Sequence, residues 1–297
     1  MKYLHYLACG LMVAVNHAAF AQLASVGTTI APKDATEATR TANRAQLADL
    51  PMSDTQSFDD AKRGLIEALG DKPVLRADGR TAWSLKGYEF LSKETAPDTV
   101  HPGLWRQARV NMANGLYKVT ERIYQLRGFD LSNMTVIEGD SGLIVIDPLI
   151  STEVAKAALE LYYKHRPQKP VVAVIYTHSH VDHFGGVRGV VNGEDVASGK
   201  VKIWAPVGFM EEATGENVIA GNAMGRRALF QFGPLLPRGE RGQIDAGLGK
   251  TTSLGSITLI APTNLIEKPI ETHRIDGVDI VFELTPGAEA PAEMIMY

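Results

Sequence analysis

Residues 177–186 limit the possible fold and chemistry of this chain more than any other segment. They read Thr-His-Ser-His-Val-Asp-His-Phe-Gly-Gly and follow the apolar stretch 171–176, which has the pattern of a strand buried on both faces. In extended backbone, side chains two residues apart point the same way, so His178 and His180 can converge on one ion. Asp182 and His183 follow at a bend and can face a second ion. A coincidental surface cluster of histidines is the alternative, and the position after a buried strand argues against it.

Imidazole and carboxylate side chains are suitable ligands for zinc or a comparable divalent metal. Cys9 is the only cysteine of the chain, so a site elsewhere must use histidines and carboxylates. Two neighbouring divalent ions can activate a water molecule and bind the oxygens of a reacting ester. Hydrolysis is therefore the predicted chemistry, and copper or iron redox chemistry with the same ligand types is the alternative.

The first 21 residues have the pattern of a secretory signal. Lys2 precedes a mostly apolar stretch at residues 4–15, and Ala19-Phe20-Ala21 resembles a signal-peptidase site, with cleavage before Gln22. The apolar stretch is too short for an integral membrane span. These features predict a periplasmic protein. Basic residues do not cluster and the net charge is −4, so the sequence predicts no nucleic-acid binding.

Hydrophobic periodicity predicts the remaining elements. Helices are expected at residues 36–50, 58–69, 151–164, 208–213 and 220–232. Strands are expected at residues 115–119, 123–126, 134–138, 143–146, 171–176, 201–205, 257–260 and 278–284. Residues 233–253 are rich in glycine and proline and predict a long loop. The last residues still have the pattern of a strand, so the sequence is expected to be a fragment.

The histidine run resembles the signature of the metallo-β-lactamase superfamily. In that resemblance, His178 and His180 match ligands of the first metal, and Asp182 and His183 match ligands of the second. Asp147 resembles a conserved aspartate beside the site, and a helix cap or turn is the alternative role. The implied fold is α/β, an αββα sandwich that is incomplete because its second half is truncated, with an N-terminal helical extension. The predicted division is a signal peptide (1–21), an extension (22–103) and the metallo-β-lactamase domain (104–297).

Further segments resemble the alkyl sulfatases that degrade dodecyl sulfate. They are residues 104–107, 221–228, 247–249 and 285–294. The resemblance implies that Glu289 completes the metal site, with two zinc ions per complete subunit and a homodimer for the full-length enzyme. Glu293 is a weaker candidate. The family supplies another glutamate and another histidine ligand downstream of these segments, and this sequence ends before them.

The resemblance implies hydrolysis of linear primary alkyl sulfates to alcohol and sulfate by a metal-activated water, with Asp182 as the catalytic residue. Arg226 and Arg227 are predicted to bind the sulfate, because guanidinium groups form paired hydrogen bonds with tetrahedral anions. Ion pairs with Glu211 or Glu212 are the alternative for these arginines. Two other functions remain open: another hydrolase of the superfamily, or an incomplete fragment that binds metal without turnover.

Overall fold

A computed structural model describes residues 31–297, so the predicted signal peptide lies outside the described residues. The α-helices are α1 Glu37–Ala45, α2 Gln56–Lys62, α3 Pro102–Val110, α4 Thr152–His165, α5 Gly193–Ala197, α6 Phe209–Thr214 and α7 Gly221–Phe232. The strands are β1 Leu65–Glu67, β2 Val74–Leu75, β3 Thr81–Trp83, β4 Gly115–Lys118, β5 Ile123–Arg127, β6 Met134–Glu138, β7 Leu143–Ile146, β8 Val171–Ile175, β9 Lys202–Pro206, β10 Asn264–Ile266, β11 Ile270–Ile275, β12 Val278–Leu284 and β13 Met294–Met296. No helix in this part of the chain is both long enough and apolar enough to span a bilayer.

The main sheet has eight strands in the order β1-β4-β5-β6-β7-β8-β9-β10. Pairing is antiparallel from β1 to β7 and parallel from β7 to β10. Strands β6 and β7 form with the predicted bounds and pair as an antiparallel hairpin. Strand β8 lies inside the sheet and is largely buried, as its continuous apolar sequence predicts.

The two faces of this sheet are covered by different layers. Helix α4 connects the parallel strands β7 and β8, and its buried side chains Val154, Ala158 and Tyr162 join the core on one face. On the other face, Ile175 of β8 packs in one cluster with Phe282 of β12, a strand of the small sheet β11-β12-β13. The order helix, sheet, sheet confirms the predicted α/β class and matches three layers of the αββα sandwich.

The N-terminal extension is not purely helical, and the helix predicted at residues 58–69 forms only as far as residue 62. Helix α2 ends at Lys62, and β1 then pairs with β4 at the edge of the main sheet. Gly64 has a φ of +78°, and a Cβ atom there would overlap the carbonyl oxygen of Lys118. Only glycine allows this close approach, so it ends the helix and turns the chain onto the sheet edge.

The predicted strand at residues 257–260 is also wrong. Its place in the main sheet is taken by β10, which pairs parallel with β9. Residues 257–260 lie against the loop after the histidine run instead: the backbone N–H of Thr258 donates to the carbonyl of Gly185, 2.7 Å away. Leu259 and Ile260 pack onto the core beside α4.

The 233–253 segment forms the predicted long loop, and a buried polar network attaches it to α3 and to Tyr88 of the N-terminal extension. The ammonium of Lys250, a residue only 1% exposed, donates to the Asp245 carboxylate at 2.9 Å and to the carbonyl of Ala108 in α3. The Tyr88 hydroxyl donates to the side-chain oxygen of Gln243 at 2.6 Å. These bonds satisfy polar groups that have almost no access to water.

Candidate metal centre

The histidine run begins two residues after the C-terminal end of β8, at the edge where the small sheet meets the main one. His178 is buried, with 3% of its surface exposed, and forms an isolated antiparallel bridge with Glu293. The backbone N–H of Met294 donates to the carbonyl of Thr177 at 3.0 Å. The segment that carries Glu289 is therefore joined by backbone contacts to the segment that carries the histidines.

Three of the predicted ligands converge on one point. His178 Nε2 lies 3.1 Å from His180 Nδ1, Glu289 Oε1 lies 3.4 Å from His180 Nδ1, and Glu289 Oε1 lies 3.8 Å from His178 Nε2. Donors of a tetrahedral zinc ion, each about 2.1 Å from the metal, are about 3.4 Å apart. The three donors thus fit one ion without rearrangement. Among residues 31–297, no other set of three potential ligands is grouped this closely.

Asp182 and His183 form a second pair beside this cluster. His183 Nε2 lies 3.2 Å from Asp182 Oδ2, and the rings of His178 and His183 have centroids 4.0 Å apart. The structure therefore brings all five predicted ligands together in two adjacent groups. Within residues 31–297, the second group consists of two potential metal ligands, Asp182 and His183.

Asp147 lies beside the site and is more than a turn residue. Its Oδ2 accepts hydrogen bonds from His183 Nδ1 at 2.8 Å and from the Thr177 hydroxyl at 2.8 Å. Its own φ is +54°, a left-handed conformation that is uncommon for aspartate and that concentrates at functional sites. A carboxylate that fixes one ring nitrogen of a histidine leaves the other free for a metal. Asp147 therefore orients His183 Nε2 towards Asp182.

The charges around His178 and His183 determine which of these rings is protonated before a metal ion binds. Burial and the nearby His183 lower the pKa of His178, which keeps this ring neutral. Burial also acts to lower the pKa of His183, but the carboxylates of Asp147 and Asp182 outweigh it and raise that pKa to about 11. Without metal, His183 therefore carries a proton between two carboxylates. A metal ion at His183 must displace that proton.

Glu216 is a site residue that sequence reasoning missed. Its Oε2 lies 3.6 Å from His180 Nε2, the ring nitrogen opposite the one in the metal cluster. Glu216 belongs to the π-helical turn Gly215–Ile219 between α6 and α7, and such turns are frequent at functional sites. In the sequence, the indication of this role is limited to the position of Glu216 shortly before residues 221–228, which resemble the alkyl sulfatases.

Arg226 and Arg227 are exposed on α7, a helix with no buried residue. The alternative ion pairs with Glu211 or Glu212 are not formed, and within residues 31–297 no carboxylate lies within 4.0 Å of either guanidinium. In the described part of the chain, neither arginine forms a hydrogen bond with His178, His180 or His183. Their assignment to sulfate stays a prediction.

Asp130 is a buried carboxylate that lies two residues before Ser132, a residue that contacts the histidine run. Asp130 accepts hydrogen bonds from the Ser253 hydroxyl and from the Ser253 and Leu131 backbone N–H groups. The nearby Ser132 hydroxyl donates to the carbonyl of Asp182. Burial raises the pKa of the Asp130 carboxyl to about 6, although the bonds from Ser253 favour its charged form.

Replacing Asp130 by asparagine is expected to remove a contribution that lowers the free energy of unfolding as the pH rises from about pH 4 to about pH 6. The folded protein keeps this proton up to about pH 6, whereas an unfolded aspartate loses it near pH 3.9. Between these values the folded state binds more protons, so this group lowers stability as the pH rises, by about 2–3 kcal/mol in total. Urea unfolding of metal-free protein at a series of pH values measures the slope. Asp59→Asn, at an exposed position of α2, controls for the lost charge, and equal slopes for Asp130→Asn and the parent would contradict the expectation.

Comparison with known proteins identifies the superfamily. The family model described as the metallo-beta-lactamase superfamily matches residues 127–281, just over half of the chain. The chain belongs to the metallo-β-lactamase superfamily. The match spans the histidine run and ends before Glu289, so this predicted ligand lies in a segment outside the matched region.

Individual relatives within the superfamily are sulfatases. The chain is 56% identical to a linear primary-alkylsulfatase of a Pseudomonas species and 54% identical to an alkyl/aryl-sulfatase of Saccharomyces cerevisiae, over 89% of its own length in each case. The solved structure of the stereoselective inverting sec-alkylsulfatase Pisa1 from a Pseudomonas species superimposes with a TM-score of 0.86 at 50% identity, over 90% of the chain and 42% of that protein. The chain spans 40–41% of the length of the two sequence relatives.

Proposed function

We propose that this chain carries the metal centre of an alkyl sulfatase that hydrolyses linear primary alkyl sulfates, such as dodecyl sulfate, to alcohol and sulfate. The convergence of His178, His180 and Glu289 within a chain about half identical to alkyl sulfatases carries the proposal. The preference for primary esters comes from the sequence resemblance. The relatives include a primary and a secondary alkylsulfatase, so the ester class is part of what the experiment must decide.

Zinc is the proposed metal because two imidazoles and one carboxylate are typical zinc ligands. His178, His180 and Glu289 would hold one ion, and Asp182 and His183 would contribute to a second. When bound, such a pair of ions supplies activation of a water molecule and stabilisation of charge on the ester oxygens.

The protein side chains have separate tasks in this proposal. Asp147 holds His183 through Nδ1 and so presents Nε2 to the site. Burial acts to raise the pKa of Asp182, but the hydrogen bond from His183 outweighs it and lowers that pKa. Asp182 therefore stays ionised, which suits both a metal ligand and the catalytic role predicted for it.

The substrate is proposed to lie along the segment that contains Glu216. Val218 and Ile219, 52% and 83% exposed, follow the glutamate that approaches His180 and offer apolar surface for an alkyl chain. Arg226 and Arg227 on the following helix are proposed to attract the sulfate group. The same proposal includes export to the periplasm and a homodimeric full-length enzyme.

Sulfate release from dodecyl sulfate, measured before and after chelation, tests the function. We expect the complete, zinc-loaded protein to contain close to two zinc ions per subunit and to release sulfate. Chelation is expected to stop the reaction, and returned zinc is expected to restore it. A secondary alkyl sulfate, a β-lactam, a thioester and a phosphodiester are assayed in parallel. Turnover of one of the last three without sulfate release would favour another hydrolase of the superfamily. Metal binding without any turnover would favour an incomplete fragment, and hydrolysis that survives the loss of all metal would overturn the mechanism.

A further inference from the structure

Glu289 is the metal-site residue with the least support from its surroundings. Its side chain is 63% exposed, whereas the side chain of its partner His178 is 4% exposed. An exposed glutamate loses side-chain entropy when it is held in one conformation. The backbone that carries Glu289 must therefore be held firmly if this residue is to meet the two histidines.

The carboxylate of Glu293 holds that backbone. Its Oε2 accepts hydrogen bonds from the backbone N–H of Glu289 at 2.5 Å and from that of Ala290 at 2.9 Å. Hydrogen bonds from backbone N–H groups to a charged carboxylate are stronger than those to neutral acceptors. The side chain of Glu293 is thus committed to the loop at 285–293, and the structure gives it no contact with a site histidine.

The backbone of Glu293 is fixed at the same time. Its carbonyl accepts from Thr285 N–H at 3.0 Å, which closes the base of the loop, and its backbone forms the bridge with His178. The adjacent side chains Ala292 and Met294 are buried. Glu293 therefore connects three parts of the chain: the backbone at His178, the base of the 285–293 loop and the backbone N–H of Glu289.

We infer that Glu293 is a positioning residue that holds Glu289 in place for the first metal ion and is not a ligand itself. The inference rests on the metal site of the proposed function, and it adds a residue that acts through Glu289. It predicts that loss of the Glu293 carboxylate weakens metal binding only while Glu289 is present to be positioned.

The chain provides a matched control in Glu271. Its Oε1 accepts from the backbone N–H groups of Glu267 and Lys268, both at 2.8 Å, so it also closes a turn with a carboxylate. This turn precedes β11, and Glu271 contacts His273 and none of the proposed ligands. Glu271→Ala therefore removes the same kind of interaction at a place that does not carry a ligand.

Zinc affinity, measured by competition with a chromophoric chelator and without substrate, tests the inference. Glu293→Ala is expected to weaken binding of the first zinc ion by about 10–100-fold, the range for residues that orient metal ligands. Glu293→Gln keeps an oxygen that can accept from the same N–H groups and is expected to recover part of that loss. Glu271→Ala is expected to match the parent. Because no substrate is present, these results do not depend on whether sulfate esters are hydrolysed.

A double-mutant cycle separates positioning from direct ligation. In the Glu289→Ala background, adding Glu293→Ala is expected to cause no further loss of zinc affinity. An additive loss would mean that Glu293 binds the metal independently, and parent-like affinity in Glu293→Ala would mean that it does not position Glu289. Either result overturns the inference. Glu293→Gln carries the same cycle if Glu293→Ala does not give folded protein by circular dichroism.

Discussion

Replacing His178 by alanine is expected to reduce affinity for the first metal ion by more than about 100-fold, beyond the usual effect of residues that only orient ligands. His178 is the most buried of the five predicted ligands, and its Nε2 lies within 4 Å of both His180 and Glu289. Without it, an exposed glutamate and one histidine remain for that ion. Zinc stoichiometry by mass spectrometry and affinity by chelator competition measure the loss, and hydrolysis of dodecyl sulfate is expected to fall with it.

His273→Ala is the control for this variant. His273 is a partly buried histidine whose ring packs at a tilt against Trp204, with ring centroids 4.7 Å apart. It pairs with Glu271, which is not one of the predicted ligands. Its removal is expected to reduce stability slightly and to leave zinc binding unchanged. Parent-like zinc affinity in His178→Ala would show that the cluster is not the metal site, and equal losses in both variants would point to a general effect on folding.

The histidine run could be interpreted from the sequence because its geometry is local. His178, His180, Asp182 and His183 lie within six positions, so the direction of the chain after β8 is enough to bring them together. Glu289 is distant in sequence, and no periodicity connects it to the run. Its place in the site was predicted through the family resemblance alone, and the contact with His180 confirms that they meet.

Two residues of the site could not be assigned from sequence for physical reasons. Asp147 follows a strand, where a turn and a site residue look alike, and only its left-handed backbone and its bond to His183 distinguish them. Glu216 reaches His180 because a π-helical turn separates α6 from α7. Patterns of 3.6-residue periodicity do not predict such a turn.

The incorrect predictions at residues 58–69 and 257–260 both come from apolar patterns that more than one structure can satisfy. The pattern that starts at Phe58 continues to Leu69 across Gly64, but the contact of this glycine with Lys118 is a tertiary constraint that the pattern does not contain. Residues 257–260 are apolar enough for a strand, but Leu259 and Ile260 pack partly buried against the core cluster that contains the α4 side chains. In both cases long-range packing decided between local alternatives.

Lys250 and Asp245 form a buried ion pair. Their side chains are 2% and 0% exposed, and Asp245 also accepts a hydrogen bond from Asn111 at 3.0 Å. Burial acts to lower the pKa of Lys250, and the Asp245 carboxylate opposes that effect. Each charge is tolerated in the interior because the other is present. Removing one of them leaves a buried charge without its counter-charge.

Lys250→Met is therefore expected to lower the free energy of unfolding by about 3–5 kcal/mol, which is a large part of the stability of an ordinary domain. The double variant Lys250→Met with Asp245→Asn removes both charges and is expected to recover part of that loss. Lys200→Met is the control, because Lys200 and Asp195 form a salt bridge at the surface, which is expected to contribute less than about 1 kcal/mol. Urea unfolding monitored by circular dichroism measures all three. If Lys250→Met costs no more than Lys200→Met, the buried pair does not hold the 233–253 loop onto α3. The attachment must then come from the apolar contacts around Trp105 and Ile244.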